Sequence, residues 1–125
     1  MKTLINSGKA PKPVGPYSHA VEAGKFLFVS GQLPIDPKEG KIVAKTVTLQ
    51  TTQVMENVKA ILEAAGYGLK DIVMSSVYLS SMDLFEEFNS EYAKYFDGQF
   101  PARATVSAEL KANALVEVSV VAYKD

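Results

Sequence analysis

Two side chains near the end of the sequence could do chemistry. Arg103 opens the strand-like run Arg103–Ala108, and Glu117 sits inside the run Leu115–Tyr123. Read as neighbouring strands with a period of two, these segments place Arg103, Thr105, Ser107, Leu115, Glu117, Ser119, Val121 and Tyr123 on one face. Ala104, Val106 and Ala108 share the opposite face with Val116, Val118, Val120 and Ala122, small and branched residues suited to packing beneath helices. The first face is too apolar for plain solvent surface and too polar for a second core. A subunit interface containing a polar pocket has both properties. An arginine and a glutamate so placed can equally form an ordinary ion pair, and the pattern alone leaves both readings standing.

Other chemistries find little support. His19 is the only histidine; it follows Ser18 with no orienting carboxylate nearby, and is expected to be a strand-edge residue near the surface. No aspartate–glutamate cluster has ligand spacing, so no metal is expected. There is no Walker loop and no G-x-G-x-x-G. The chain has no cysteine, which removes thiolate chemistry and disulfides and suits a reducing, cytoplasmic setting. Net charge is −1 with no basic stripe, which weakens a nucleic-acid reading. Residues 1–8 lack the apolar core of a signal peptide, and no later stretch approaches a membrane span. What remains is an arginine, a carboxylate, hydroxyls and backbone groups.

These groups need a scaffold. At 125 residues the chain is expected to form one domain, 1–125, able to bury its own core. Residues 7–18 read as an ordered loop. His19–Gly24 and Phe26–Ser30 then read as a hairpin turning at Ala23-Gly24-Lys25. Phe26-Leu27-Phe28-Val29 is apolar on both faces, which predicts a central, buried strand. Pro34, Pro37 and Gly40 predict another turn. From Thr48 to Ala65, a stripe of Val54, Met55, Val58, Ile61 and Leu62 predicts a helix stopped by Gly66. Ile72–Ser80 reads as a strand with Val73, Val77 and Leu79 on one face. Asp83–Glu86 resembles a capping box opening a second helix, whose stripe is Phe85, Phe88, Tyr92 and Tyr95 or Phe96. The last two strands are joined by a turn at Ala112-Asn113. The order is βββαβαββ, an α+β architecture whose mixed sheet has both helices on one face.

Five segments together resemble the RidA/YjgF family: Gly15-Pro16-Tyr17-Ser18, Phe28-Val29-Ser30-Gly31-Gln32, Glu56-Asn57-Val58-Lys59-Ala60, Phe100-Pro101-Ala102-Arg103 and Val116-Glu117-Val118. The resemblance runs from about residue 4 to 123. It implies a chorismate-mutase-like fold and a homotrimer whose sheets form a central barrel with clefts between subunits. It implies a deaminase that hydrolyses 2-iminobutanoate and 2-iminopropanoate to keto acids and ammonia, without cofactor or metal.

Matched to the family motifs, Arg103 is the carboxylate-binding arginine and Glu117 the glutamate that handles water or the nitrogen proton. Tyr17, Ser30, Gly31 and Asn89 line the cleft. Thr105 stands where many members have cysteine, a position used largely through its backbone. The connection after Val106 is one residue short, and the customary Leu-Pro is Leu110-Lys111. A frequent second glutamate is Ser119, and a common lysine is Met74. Two rival functions belong to the same resemblance: a ligand-responsive regulator using the same clefts, as in control of purine genes, and an endoribonuclease. The charge of −1 argues against the second.

Overall fold

The computed structural model describes residues 1–125. Its main sheet has six strands: β1 (Lys2–Ile5), β2 (Ala20–Ala23), β3 (Phe26–Gln32), β6 (Ile72–Leu79), β7 (Ala102–Ser107) and β8 (Val116–Tyr123). They lie in the order β1-β2-β3-β8-β6-β7. Every pairing is antiparallel except β6 with β7. A two-residue hairpin, β4 (Ile35–Asp36) with β5 (Lys41–Ile42), projects where the sequence suggests only a turn. β1 was also not foreseen; it extends the β2–β3 hairpin to the sheet edge.

Helix α1 (Val47–Ala64) begins at Thr46, whose Oγ1 accepts from the Leu49 amide at 3.2 Å. It ends in a Schellman arrangement: Tyr67 N–H donates to Leu62 O, Gly66 N–H donates to Glu63 O, and Gly66 takes φ +83°. Its apolar stripe is fully buried, as the spacing predicts. Helix α2 (Phe85–Ala93) follows a 3-10 turn over Met82–Leu84. Ser81 caps that turn, its hydroxyl accepting from the Asp83 amide, while α2 itself starts at Leu84 with no side-chain cap in place of the expected box at Asp83.

Both helices cover one face, and the core lies between them and Leu27, Val29, Val77, Leu79, Val116, Val118, Val120 and Ala122. In β6 the register slips between Ile72 and Met74. The bulge turns Val73 outward, 44% exposed, and puts Ile72 into the buried row with Ser75, Val77 and Leu79 instead. β3 is central, yet in its apolar run Phe26–Val29 only Leu27 and Val29 are buried; Phe26 and Phe28 stand 42% and 48% exposed on the uncovered face. Alternation in an antiparallel setting, not burial on both sides, governs this strand.

The β7 assignment is reversed relative to the sequence reading. β6 lies between β7 and β8, so Arg103 and Glu117 are not on neighbouring strands. β6, α2 and β7 form a parallel crossover unit, and the pairs Ser75↔Arg103 and Val77↔Thr105 place Arg103 and Thr105 on the helix-covered face. Ala104 and Val106 point to the uncovered face, with Val106 49% exposed. Apolarity misleads here because β7 is an edge strand, covered on its helix side mainly by aromatic rings.

Candidate active site

Arg103 is the only arginine in the chain. Its guanidinium carbon lies 5.6, 5.5 and 5.1 Å from the ring centroids of Phe85, Phe88 and Tyr92. Helical spacing puts those rings on one stripe of α2, and a quadrupole face attracts a cation. The shelf is fixed from below: the buried Tyr92 hydroxyl donates to Ser75 Oγ at 2.8 Å. Burial pushes the Tyr92 hydroxyl above its ordinary pKa, so it stays a neutral donor at neutral pH. Stacked rings at 5.2 and 4.7 Å continue from Phe88 through Tyr92 to Phe96. No carboxylate pairs with Arg103; the one ion pair in the chain is Lys94–Glu91. Arg103 is thus oriented by aromatic packing with its donors free of acidic partners.

Arg103, Asn89, Tyr92, Ala93, Phe100 and Pro101 line a cleft of about 310 Å³. Two oxygens on this side, Asn89 Oδ1 and Thr105 Oγ1, are buried with no hydrogen-bond partner. A buried oxygen left so costs about 1–3 kcal/mol, and a donor brought to this side would relieve that cost.

Glu117 occupies the opposite face, in a second cleft of about 360 Å³ with Tyr17, Ser30, Gly31 and Lys111. A Cβ on Gly31 would collide with the Glu117 carboxylate, so the glycine makes room for it. Ser30 is locked as a strand-to-loop fastener: its Oγ donates to Ser18 O at 2.7 Å and its amide to His19 O at 2.9 Å. Tyr17 is 45% exposed, and its hydroxyl accepts from the Val14 amide at 3.2 Å. Glu117 is half-buried, has no hydrogen-bond partner, and desolvation raises its pKa above the ordinary 4.5. The shortened connection therefore leaves Glu117 in the cleft.

The expected site residues fall into two groups. Arg103, Asn89 and Thr105 lie on the helix face; Tyr17, Ser30, Gly31 and Glu117 lie on the uncovered face. Through β6, the register Ser75↔Arg103 and Tyr78↔Glu117 separates Arg103 and Glu117 by one intervening strand and three residues, about 10 Å each way. They cannot pair within one chain, which removes the ion-pair reading. His19 also departs from expectation: it is 2% exposed, with Nδ1 accepting from Ser7 N at 2.9 Å and Nε2 bonded to Pro11 O at 2.6 Å. It pins the loop carrying Tyr17 instead of facing solvent. Sequence reading missed the Phe85–Phe88–Tyr92 shelf as a functional element, although its stripe was visible, and missed Lys111 in the Glu117 cleft.

The model of the family described as Endoribonuclease L-PSP matches residues 7–124. A RutC family protein of Saccharolobus solfataricus is 51% identical over 125 residues, covering 99% of each chain. The structure of YyfA, a Rid family protein of Yersinia pestis, is 38% identical with TM-score 0.96 and covers 99% of this chain and 100% of its own. The structure of E. coli TdcF with bound serine is 33% identical with TM-score 0.94, covering 98% and 99%.

Proposed function

The chain belongs to the RidA/YjgF family, and from that premise we propose that it hydrolyses small 2-imino acids to 2-keto acids and ammonia in clefts completed between three copies. The observation that carries this reading is the separation of an uncommitted arginine from an uncommitted, desolvated glutamate on opposite faces of one sheet. A neighbouring copy can bring the missing half to each cleft. The exposed Phe26, Phe28, Val106 and Tyr123 of the uncovered face supply the apolar area for such an interface. The bound serine of TdcF, a small amino acid, is consistent with an amino-acid-sized site.

Arg103 holds the substrate carboxylate by two parallel hydrogen bonds, its plane set by the aromatic shelf. The C=N carbon then faces water beside Glu117 of the adjoining copy. Glu117 takes a proton as the water oxygen bonds to carbon, and the proton passes to nitrogen. Glu117 then carries the hydroxyl proton of this carbinolamine to the amine nitrogen, the C–N bond breaks as the C=O bond forms, and ammonia leaves the keto acid behind. A carboxyl whose pKa desolvation raises above its ordinary value is a better proton acceptor and suits both halves of this transfer. Positioning plus one acid–base group supplies roughly 10²–10⁴-fold, enough for an imine that already hydrolyses in water.

The endoribonuclease description of the family model is not carried over. The sole histidine has both ring nitrogens engaged in the core, and the chain bears net charge −1. The test is direct: generate 2-iminobutanoate with a threonine dehydratase, trap it with semicarbazide, and add the protein. Trapping should fall sharply; undiminished trapping contradicts the proposal.

A further inference from the structure

The turn between β7 and β8 is unusual in its backbone. Lys111–Asn113 form a single 3-10 turn in which Ala112 and Asn113 both adopt left-handed conformations, φ 58° and 57°. Neither is glycine, and such a backbone persists in L residues only where the surroundings over-determine it. Here they do. Ala114 N–H donates to Lys111 O at 3.1 Å, and Ala114 is buried. Leu115 N–H donates to Gln50 Oε1 of α1 at 2.8 Å. The turn is thus tied to the helix layer, and its first residue is delivered to the Glu117 cleft.

Lys111 has no acidic partner within ion-pair distance. Lys12 lines a small recess that shares Val14, Tyr17, Gly31 and Leu33 with the same cleft, and it too is unpaired. One free ammonium group therefore lines a cleft holding one carboxylate, and a second lies in the adjoining recess, in a chain whose net charge is −1. The carboxylate of a simple imino acid is already matched to Arg103. In a cleft completed by a neighbouring copy, further cations on the Glu117 side call for a second negative group on the ligand. A lysine, with its flexible stem and compact charge, can reach that group over a range of side-chain lengths.

We propose that Lys111, assisted by Lys12, selects substrates carrying a second carboxylate: 2-imino acids with acidic side chains, in preference to those with short alkyl side chains. This rests on the imine-hydrolysis reading for the reaction, but its ligand preference is measurable without any turnover.

Titration calorimetry on the intact protein with two stable keto acids, 2-oxoglutarate and 2-oxobutanoate, tests it. The wild type should bind the dicarboxylate about fivefold more tightly, the scale of a partly exposed charge pair, and added salt should shrink that ratio. Lys111→Glu should abolish or reverse the preference. Should that variant fail to fold, Lys111→Gln keeps the side-chain length and should abolish it. Equal affinities in the wild type, or a preference that survives removal of the Lys111 charge, overturns the proposal. A preference found without imine hydrolysis supports the ligand class and sinks the reaction; hydrolysis without a preference sinks the ligand class alone.

Discussion

The carboxylate of Glu117 lies directly on Gly31: a Cβ at that position would collide with Oε2 and stand 3.0 Å from Cδ. Gly31 does not have a left-handed backbone, so alanine there is conformationally tolerated and acts through contact alone. Gly31→Ala should therefore leave the fold intact and displace the carboxylate. Imine hydrolysis should drop about tenfold to a hundredfold, the usual consequence of misplacing a reacting group by an ångström. Unchanged activity in a folded variant would show that the position of Glu117 is immaterial.

Glu117→Gln separates chemistry from structure. Desolvation raises the folded pKa of Glu117 above its ordinary 4.5. The associated stability is fully present below that ordinary value and is lost as pH rises through the folded value. The glutamine variant should thus melt higher than wild type at neutral pH, with the difference closing toward pH about 4. Its hydrolysis rate should fall at least about tenfold. In the wild type, the acid limb of the pH–rate profile should lie above the ordinary carboxylate range. A variant that melts lower at neutral pH would reveal a charge partner for Glu117 in the assembly.

Arg103→Ala should abolish hydrolysis at a cost of roughly 2–5 kcal/mol in transition-state binding. Arg103→Lys should recover little, because a point charge cannot reproduce the flat two-bond grip. Stability should change little in either variant, since no acidic partner is orphaned. Melting curves alongside kinetics check this; a collapse of the fold would mean that the aromatic shelf depends on its cation.

Much of the scaffold was legible because its signals are local. The stripe Val54–Leu62 and the stop at Gly66 define α1 without reference to the rest of the chain. Arg103 and Glu117 stood out from the strand pattern, but Tyr17, Ser30, Gly31, Asn89 and Thr105 were reachable as site residues only through the family resemblance, since no composition or spacing rule singles out Tyr17 or Asn89. The faces of β7 were not legible from alternation, because period two gives relative sides but not which side meets the helices. The parallel pairing of β6 and β7 decides that, and a crossover helix between two strands was the signal available for it. The β6 bulge was likewise hidden: one extra residue exchanges Val73 for Ile72 in the buried row without altering composition. Lys111 was visible as a departure, but only the fold places it against Glu117.

The uncovered face needs a partner, and the family resemblance implies threefold closure. Light scattering coupled to size exclusion should give about three times 13.5 kDa. Phe28→Asp, at a position 48% exposed in the isolated chain, should shift the protein toward monomer and abolish hydrolysis without touching either cleft residue. A wild-type monomer at all concentrations would remove the partner that each half-cleft requires.

The central claim is that Arg103 and Glu117 act together only across a boundary between copies. Arg103→Ala and Glu117→Gln, each nearly inactive alone, can be mixed, dissociated and reassembled. In a random trimer each cleft draws its arginine from one copy and its glutamate from the next, so roughly one cleft in four is restored. Imine trapping should show activity returning to about that fraction of wild type. No recovery in reassembled trimers of verified mixed composition would contradict the account, because it would place both groups in the same copy's site or exclude one of them from the reaction.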